Sequence, residues 1–251
     1  MSGHSKWSTI KHKKGAADAK RGQLFTKLSK AIIVAAKEGG ADPTANLSLQ
    51  NAIEKAKSYS MPKDNIDRAI AKGSGADADA SAFETVVYEG YGADGVAVLV
   101  EALTDNRNRT AADVRHLFAK HDGNLGTTGA VAWLFERRGI VLVDAGGVDE
   151  DELLLAAADG GADDVEPDGS VFQVLCPVES LASVRVAIEA AGFHVESAEL
   201  SMLPKTTVTI EDEATAKKVV HLIEALEDND DVQDVYANFD IPEHVLEAVA
   251  S

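Results

Sequence analysis

Residues 138–203 run RGIVLVDAGGVDEDELLLAAADGGADDVEPDGSVFQVLCPVESLASVRVAIEAAGFHVESAELSML. Ile140–Val143 and Val171–Cys176 are largely apolar runs of strand length, and Val195–Met202 also reads as a strand. Asp149 to Ala158 reads as a helix whose first turn carries acids, which suit the positive end of the helix dipole. Leu181 to Ala191 reads as a second helix, closed by Gly192. A fourth, short strand, Asp164–Glu166, precedes the turn Pro167-Asp168-Gly169. The order strand, helix, strand, strand, helix, strand is that of a ferredoxin-like unit.

The flanking segments are each half of such a unit. Before it, Phe83–Tyr91 and Val96–Leu103 predict strands around a Gly-Ala-Asp-Gly turn at 92–95. A polar loop at 104–110, a helix over 111–121 and a strand over 131–135 follow. After it, Thr206–Ile210 predicts a strand, Glu213–Leu226 a helix and Val232–Phe239 a strand. Neither half has a partner set of its own, so the expectation is that they join into one sheet. The predicted fold class is α+β with three domains: a helical domain at 1–73, a linker at 74–82, a discontinuous α/β domain at 83–137 and 204–251, and the inserted ferredoxin-like domain at 138–203.

In the first domain, Leu24, Leu28, Ile32 and Ala36 recur at helical spacing over 16–37, and Lys20, Lys27, Lys30 and Lys37 fall on the opposite side as a basic stripe. Asp42-Pro43 predicts the start of a second helix, to about Tyr59. Met61-Pro62 opens a third, closed by Gly73. Residues 73–82 hold no large side chain and predict a flexible joint.

Charge divides the chain. Residues 1–73 hold 14 Lys/Arg against 6 Asp/Glu, and the remainder 10 against 36, within a total of −18. A basic head on an acidic body points to a polyanionic partner for the head. Its amino-terminal arm sets Trp7 among His4, Lys6, Lys11, Lys13 and Lys14 and runs on to Lys20 and Arg21. Charge for phosphates and a ring for bases is the mixture of single-strand binders. A solvated terminus is the bland alternative.

Other chemistries find no residue set. The seven His show no zinc spacing, and no phosphate loop or nucleophile elbow occurs. The acidic run Asp228 to Asp231 lacks the glycine and distal Glu of a calcium loop and reads as a solvated turn. Cys176, the single cysteine, sits in an apolar strand, which excludes an internal disulfide and fits a structural thiol. No catalytic residue, metal or cofactor is expected, and an enzyme is the weakest of the functional classes. The first ten residues lack an apolar signal core, and apolar runs such as Val96–Val100 are too short to span a bilayer, so the expectation is cytoplasmic. Two stretches stand out. Asn106, Arg107 and Arg109 bring charge into a body poor in basic residues, and the glycine-rich loop at 122–129 offers backbone amides to a phosphate or a backbone group.

Gly3-His4-Ser5-Lys6-Trp7 with Ile10-Lys11, Met61 to Ile66, Arg68-Ala69-Ile70, Glu89-Gly90-Tyr91-Gly92, Thr104 to Thr110 and Asn124-Leu125-Gly126 closely resemble the YebC/PmpR family, which includes the mitochondrial translational activator of cytochrome oxidase. The sequence departs from the family at Leu47-Ser48-Leu49-Gln50, where Pro-Arg-Leu-Arg is usual, so two basic residues are missing there. The resemblance implies a helical head, two α/β domains and no cofactor. It implies either a ribosome-binding translation factor that relieves stalling or a DNA-binding transcriptional regulator. The expected nucleic-acid-binding residues are His4, Lys6, Trp7, Lys11, Lys13, Lys14, Lys20, Arg21, Lys27, Lys30, Asn106, Arg107 and Arg109. The expected partners are ribosomal RNA on the ribosome or promoter DNA, with no membrane and no small-molecule substrate. An arm without a base-reading helix suits shaped or single-stranded RNA better than a duplex groove.

Overall fold

Leu28, Ile32, Ile33 and Ala36 share one face of helix α1 (Asp18–Gly39) and bury it against α2 (Leu47–Ser58) and α3 (Lys63–Ala71). The computed structural model describes residues 18–76 and 83–242, together with 244, 245 and 249, with side chains from Gly22 onward. Helix α2 starts at Leu47, later than the Asp42-Pro43 pair predicts. Asn46 caps it, accepting from the Leu49 amide at 3.1 Å and donating to the carbonyls of Ala35 (2.7 Å) and Gly40 (2.8 Å). A buried Asn with three partners outcompetes exposed Asp42, which closes a local turn on Thr44 instead. The joint expected from residue 73 also starts later. Lys72–Ala76 forms a π-type turn against α1, with Gly73 so near the Ile33 carbonyl and Ala36 that a Cβ would overlap them. Residues 77–82 lie outside the described residues.

Strand β1 (Glu84–Tyr91) pairs antiparallel with β2 (Ala97–Thr104), from Glu84 opposite Thr104 to Tyr91 opposite Ala97. The turn between them places Asp94 and Gly95 at positive φ, 56° and 75°. Helix α4 (Arg107–Lys120) leads to β3 (Asn124–Leu125), which lines the free edge of β1. Residues 131–135 are not the predicted strand: a 3₁₀ turn covers Ala132–Leu134, and the next strand begins at Phe135.

That strand, β4 (Phe135–Asp144), opens the ferredoxin-like unit. It is followed by α5 (Glu150–Asp159), β5 (Asp164–Asp168), β6 (Val171–Cys176), α6 (Leu181–Ala190) and β7 (Val195–Pro204). The strands lie in the order β5-β6-β4-β7, all antiparallel, and Val141, Val143, Leu153, Val174, Val184 and Ile188 fill one core.

The chain then forms β8 (Val208–Thr209), α7 (Glu213–Glu227), β9 (Val232–Ala237) and β10 (Phe239–Asp240). Strand β9 pairs antiparallel with β2, giving the sheet β3-β1-β2-β9, while β8 and β10 form a short parallel pair. The predicted strand at 232–239 breaks at Asn238. Its side chain accepts from the Ala97 amide at 2.7 Å and donates to the Thr206 carbonyl at 3.2 Å. Helices α4 and α7 bury Val114, Phe118, Val219, Leu222 and Ile223 against Val86, Val98, Val100 and Val235 of this sheet. Residues 135–205 form one compact unit. The described residues before and after it form another, so the head and the β3-β1-β2-β9 sheet belong together.

Candidate nucleic-acid interface

Gln23, Lys27 and Lys30 follow one another at helical spacing along α1, on the stripe the sequence reads as outward and basic. The tertiary structure turns this stripe onto the acidic turn after α7. Gln23 Nε2 donates to the Asp228 carbonyl and to Asp230 Oδ1 (2.9 Å), and Lys27 Nζ donates to the Glu227 carbonyl. Lys30 Nζ donates to the Asp230 carbonyl and to Asp231 Oδ1, both at 2.9 Å, and lies 5.7 Å from the Phe83 ring centre. Lys27 is 9% exposed and the Lys30 side chain 14%. The expectation that these two lysines face a nucleic acid is corrected: their ammonium groups are held by carboxylates and helix-end carbonyls of the same chain. Lys55 adds a surface pair with Asp234 at 3.0 Å.

Asp231 is the centre of the clasp. Its side chain is 8% exposed, and Oδ2 accepts from Arg109 Nη2 at 2.7 Å, from the Thr110 hydroxyl at 2.8 Å and from the Thr104 hydroxyl at 3.4 Å. Burial pushes its carboxyl upward, but the hydrogen bonds from Arg109, Lys30 and Thr110 outweigh burial and hold it at about 2. The run 228–231 is therefore a turn that receives cations, not only a solvated one.

Helix α4 begins four residues before the predicted Ala111. Asn106 caps it, accepting from the Arg109 amide at 3.1 Å, and Asn106 N donates to the Thr104 hydroxyl at 2.9 Å. Thr110, the last residue of the predicted polar loop, is buried inside the first turn. Arg109 is tied to Asp105 (2.9 Å) and Asp231, although its side chain remains 48% exposed. Arg107, Asn108 and Arg115 are exposed. Of the three residues expected to bind here, the geometry leaves the Arg107 side chain exposed, uses Asn106 as a cap and ties Arg109 to the clasp.

The glycine-rich loop also meets an anion, and the anion is internal. Buried Glu89 accepts from the amides of Gly129 (2.6 Å), Val131 (2.7 Å) and Ala132 (2.7 Å). Burial raises its pKa, and these three bonds outweigh burial and lower it. Val131 therefore enters a turn instead of a strand. Residue-level reading missed Glu89; the available signal was an acid beside Tyr88 in the strand, just before Gly90-Tyr91-Gly92.

His4, Lys6, Trp7, Lys11, Lys13 and Lys14 lie outside the described residues, and Lys20 and Arg21 lie on the backbone of α1 without described side chains. Among the described residues, no group of three or more His, Cys, Asp or Glu is arranged to hold a metal ion, and no helix is long and apolar enough to cross a membrane.

Residues 5–76 match the domain described as "TACO1/YebC protein N-terminal domain", and residues 83–239 match "TACO1/YebC second and third domain". A protein of Rubrobacter xylanophilus named "Probable transcriptional regulatory protein" is 58% identical over 250 residues, covering 100% of both chains. A similarly named protein of Desulfotalea psychrophila is 56% identical with the same coverage. The crystal structure of a conserved hypothetical protein from Aquifex aeolicus superposes with a TM-score of 0.81 at 51% identity, covering 90% of this chain and 93% of that one.

Proposed function

Because this chain belongs to the TACO1/YebC family, we propose that it is a non-enzymatic regulator of gene expression that binds nucleic acid, with RNA on the ribosome as its target in the cytoplasm. Relief of stalled translation is the role that the family resemblance adds. The observation that carries the reading is the charge division, 14 Lys/Arg against 6 Asp/Glu over residues 1–73 and 10 against 36 thereafter. With Lys27 and Lys30 committed to the body, the binding charge rests on Lys6, Lys11, Lys13, Lys14, Lys20 and Arg21 of the arm, with Arg107 on the body. RNA is favoured because α1, the longest helix of the head, spends its polar stripe on the 227–231 turn. Gln23, Lys27 and Lys30 on that stripe are thereby taken from any major-groove contact.

A second reading, binding of promoter DNA, is supported by the relatives' name as transcriptional regulators. The two separate in a binding experiment that sets single-stranded and structured ribosomal RNA against duplex DNA over a salt series. On single-stranded RNA the logarithm of affinity should fall with the logarithm of salt by about 0.7 per phosphate contact. Replacing one arm lysine by alanine should lower that slope and weaken all RNA sequences alike, whereas Trp7→Ala should weaken binding with the slope nearly unchanged. Preference for duplex DNA would favour the second reading. Unaltered affinity and slope after removal of residues 1–14 would defeat the role given to the arm.

A further inference from the structure

We infer that Trp133 and Tyr91 form a stacking platform for an unpaired nucleobase, a site separate from the arm that rests on the nucleic-acid reading above for its class of ligand. Trp is ordinarily among the more buried residues, yet Trp133 is 66% exposed and Tyr91 36%. Both rings are fixed by one atom. The Ala130 carbonyl accepts from the Trp133 indole at 3.1 Å and from the Tyr91 hydroxyl at 3.0 Å. Their polar ends are thus satisfied within the chain, and what remains exposed is aromatic carbon, which favours stacking over hydrogen bonding. The turn that carries Trp133 is rigidly based, because Glu89 takes the amides of Gly129, Val131 and Ala132 on both carboxylate oxygens. A preorganised ring loses little side-chain entropy when a ligand stacks on it.

The surroundings suit a nucleic acid better than an apolar protein pocket. Of the 10 Lys/Arg after residue 73, four lie on α4, which runs directly into the loop leading to this turn; Arg109 is held by Asp231 and Asp105, while Arg107, Arg115 and Lys120 are exposed. That loop comes back to β1, where Gly123 closely approaches the Tyr91 carbonyl and Asn124 pairs with Tyr91. Thr127 and Thr128 expose hydroxyl groups on the same loop. Cations along a helix, hydroxyls on a loop and a fixed ring beyond them make the sequence of contacts that a strand with one unstacked base requires.

The test uses the full chain carrying Trp7→Phe, which leaves Trp133 as the only tryptophan, and titrates it with a short oligoadenylate. The expected result is quenching of Trp133 emission. Adding Trp133→Ala should weaken binding by about 10- to 100-fold with the salt slope unchanged, and Trp133→Phe should retain most of the affinity. Melting temperatures of the variants should match, because the ring is exposed. Binding that remains sensitive to the arm lysines but indifferent to Trp133→Ala, with emission unchanged, overturns this inference and leaves the nucleic-acid reading standing. Absence of any binding by the unaltered chain to oligoadenylate, ribosomal RNA and duplex DNA overturns both.

Discussion

Asp231 concentrates the electrostatics of the molecule in one carboxylate. Its folded pKa, about 2, lies below the ordinary 3.8, so the bonds it accepts add stability that is fully present above about pH 4 and lost as pH falls toward 2. The shift corresponds to about 2 kcal/mol. Asp231→Asn should cost about 2–4 kcal/mol near neutral pH, because Arg109 and Lys30 lose their shared acceptor charge. Urea unfolding followed from pH 5 to pH 2 should show the native protein losing this increment while the variant, already without it, declines less. Parallel curves for the two proteins would mean that Asp231 is not the group responsible.

Helices α1 and α4 meet the same acidic turn from different parts of the chain, and their arginines and lysines divide accordingly. Arg107→Ala should alter stability by less than about 0.5 kcal/mol, since its side chain is exposed and the bond from the Tyr88 hydroxyl, at 3.3 Å, goes to its backbone carbonyl. Arg109→Ala should cost about 1 kcal/mol, a modest figure because the guanidinium is half exposed and Lys30 still faces Asp231. Denaturant midpoints for the two single variants decide this. Equal midpoints would show that Arg109 does not contribute to the clasp. For RNA binding the order should reverse, with Arg107→Ala the more harmful of the two.

The ferredoxin-like unit has its own core, built from Val141, Leu153, Val174, Val184 and Ile188, and its strand pairs all lie within residues 135–205. We propose that it folds as an inserted domain, with 1–73 and the flanking segments, ending at Leu134 and resuming at Thr206, as the other two. Expressed alone, residues 135–205 should give dispersed amide resonances and a single cooperative unfolding transition. A collapsed spectrum without a transition would show that the unit depends on the rest of the chain. The other sheet cannot be cut out in the same way, because β9 completes it from beyond the insertion, with Val100 opposite Val235.

Much of this architecture is written in neighbouring residues. The alternation of strands and helices over 138–203, the apolar stripe of Leu28, Ile32 and Ala36, and the basic head are visible because periods of 2 and 3.6 are local properties of a chain. Helix starts were less legible. Asn46 and Asn106 displace the expected boundaries, at Asp42-Pro43 and at residue 111, through side-chain bonds that composition does not rank. The candidate site was the least legible part. Periodicity reports which side of α1 carries Lys27 and Lys30, but not what that side meets. Their partners at Glu227 and Asp231 lie 200 and 201 residues away in the chain. Glu89 likewise finds its amides 40 to 43 residues downstream. A hydrogen bond forms only when donor and acceptor come within about 3 Å. Across such separations that distance is set by how helices pack on the sheet, so only the folded chain determines which of its charges remain for a partner.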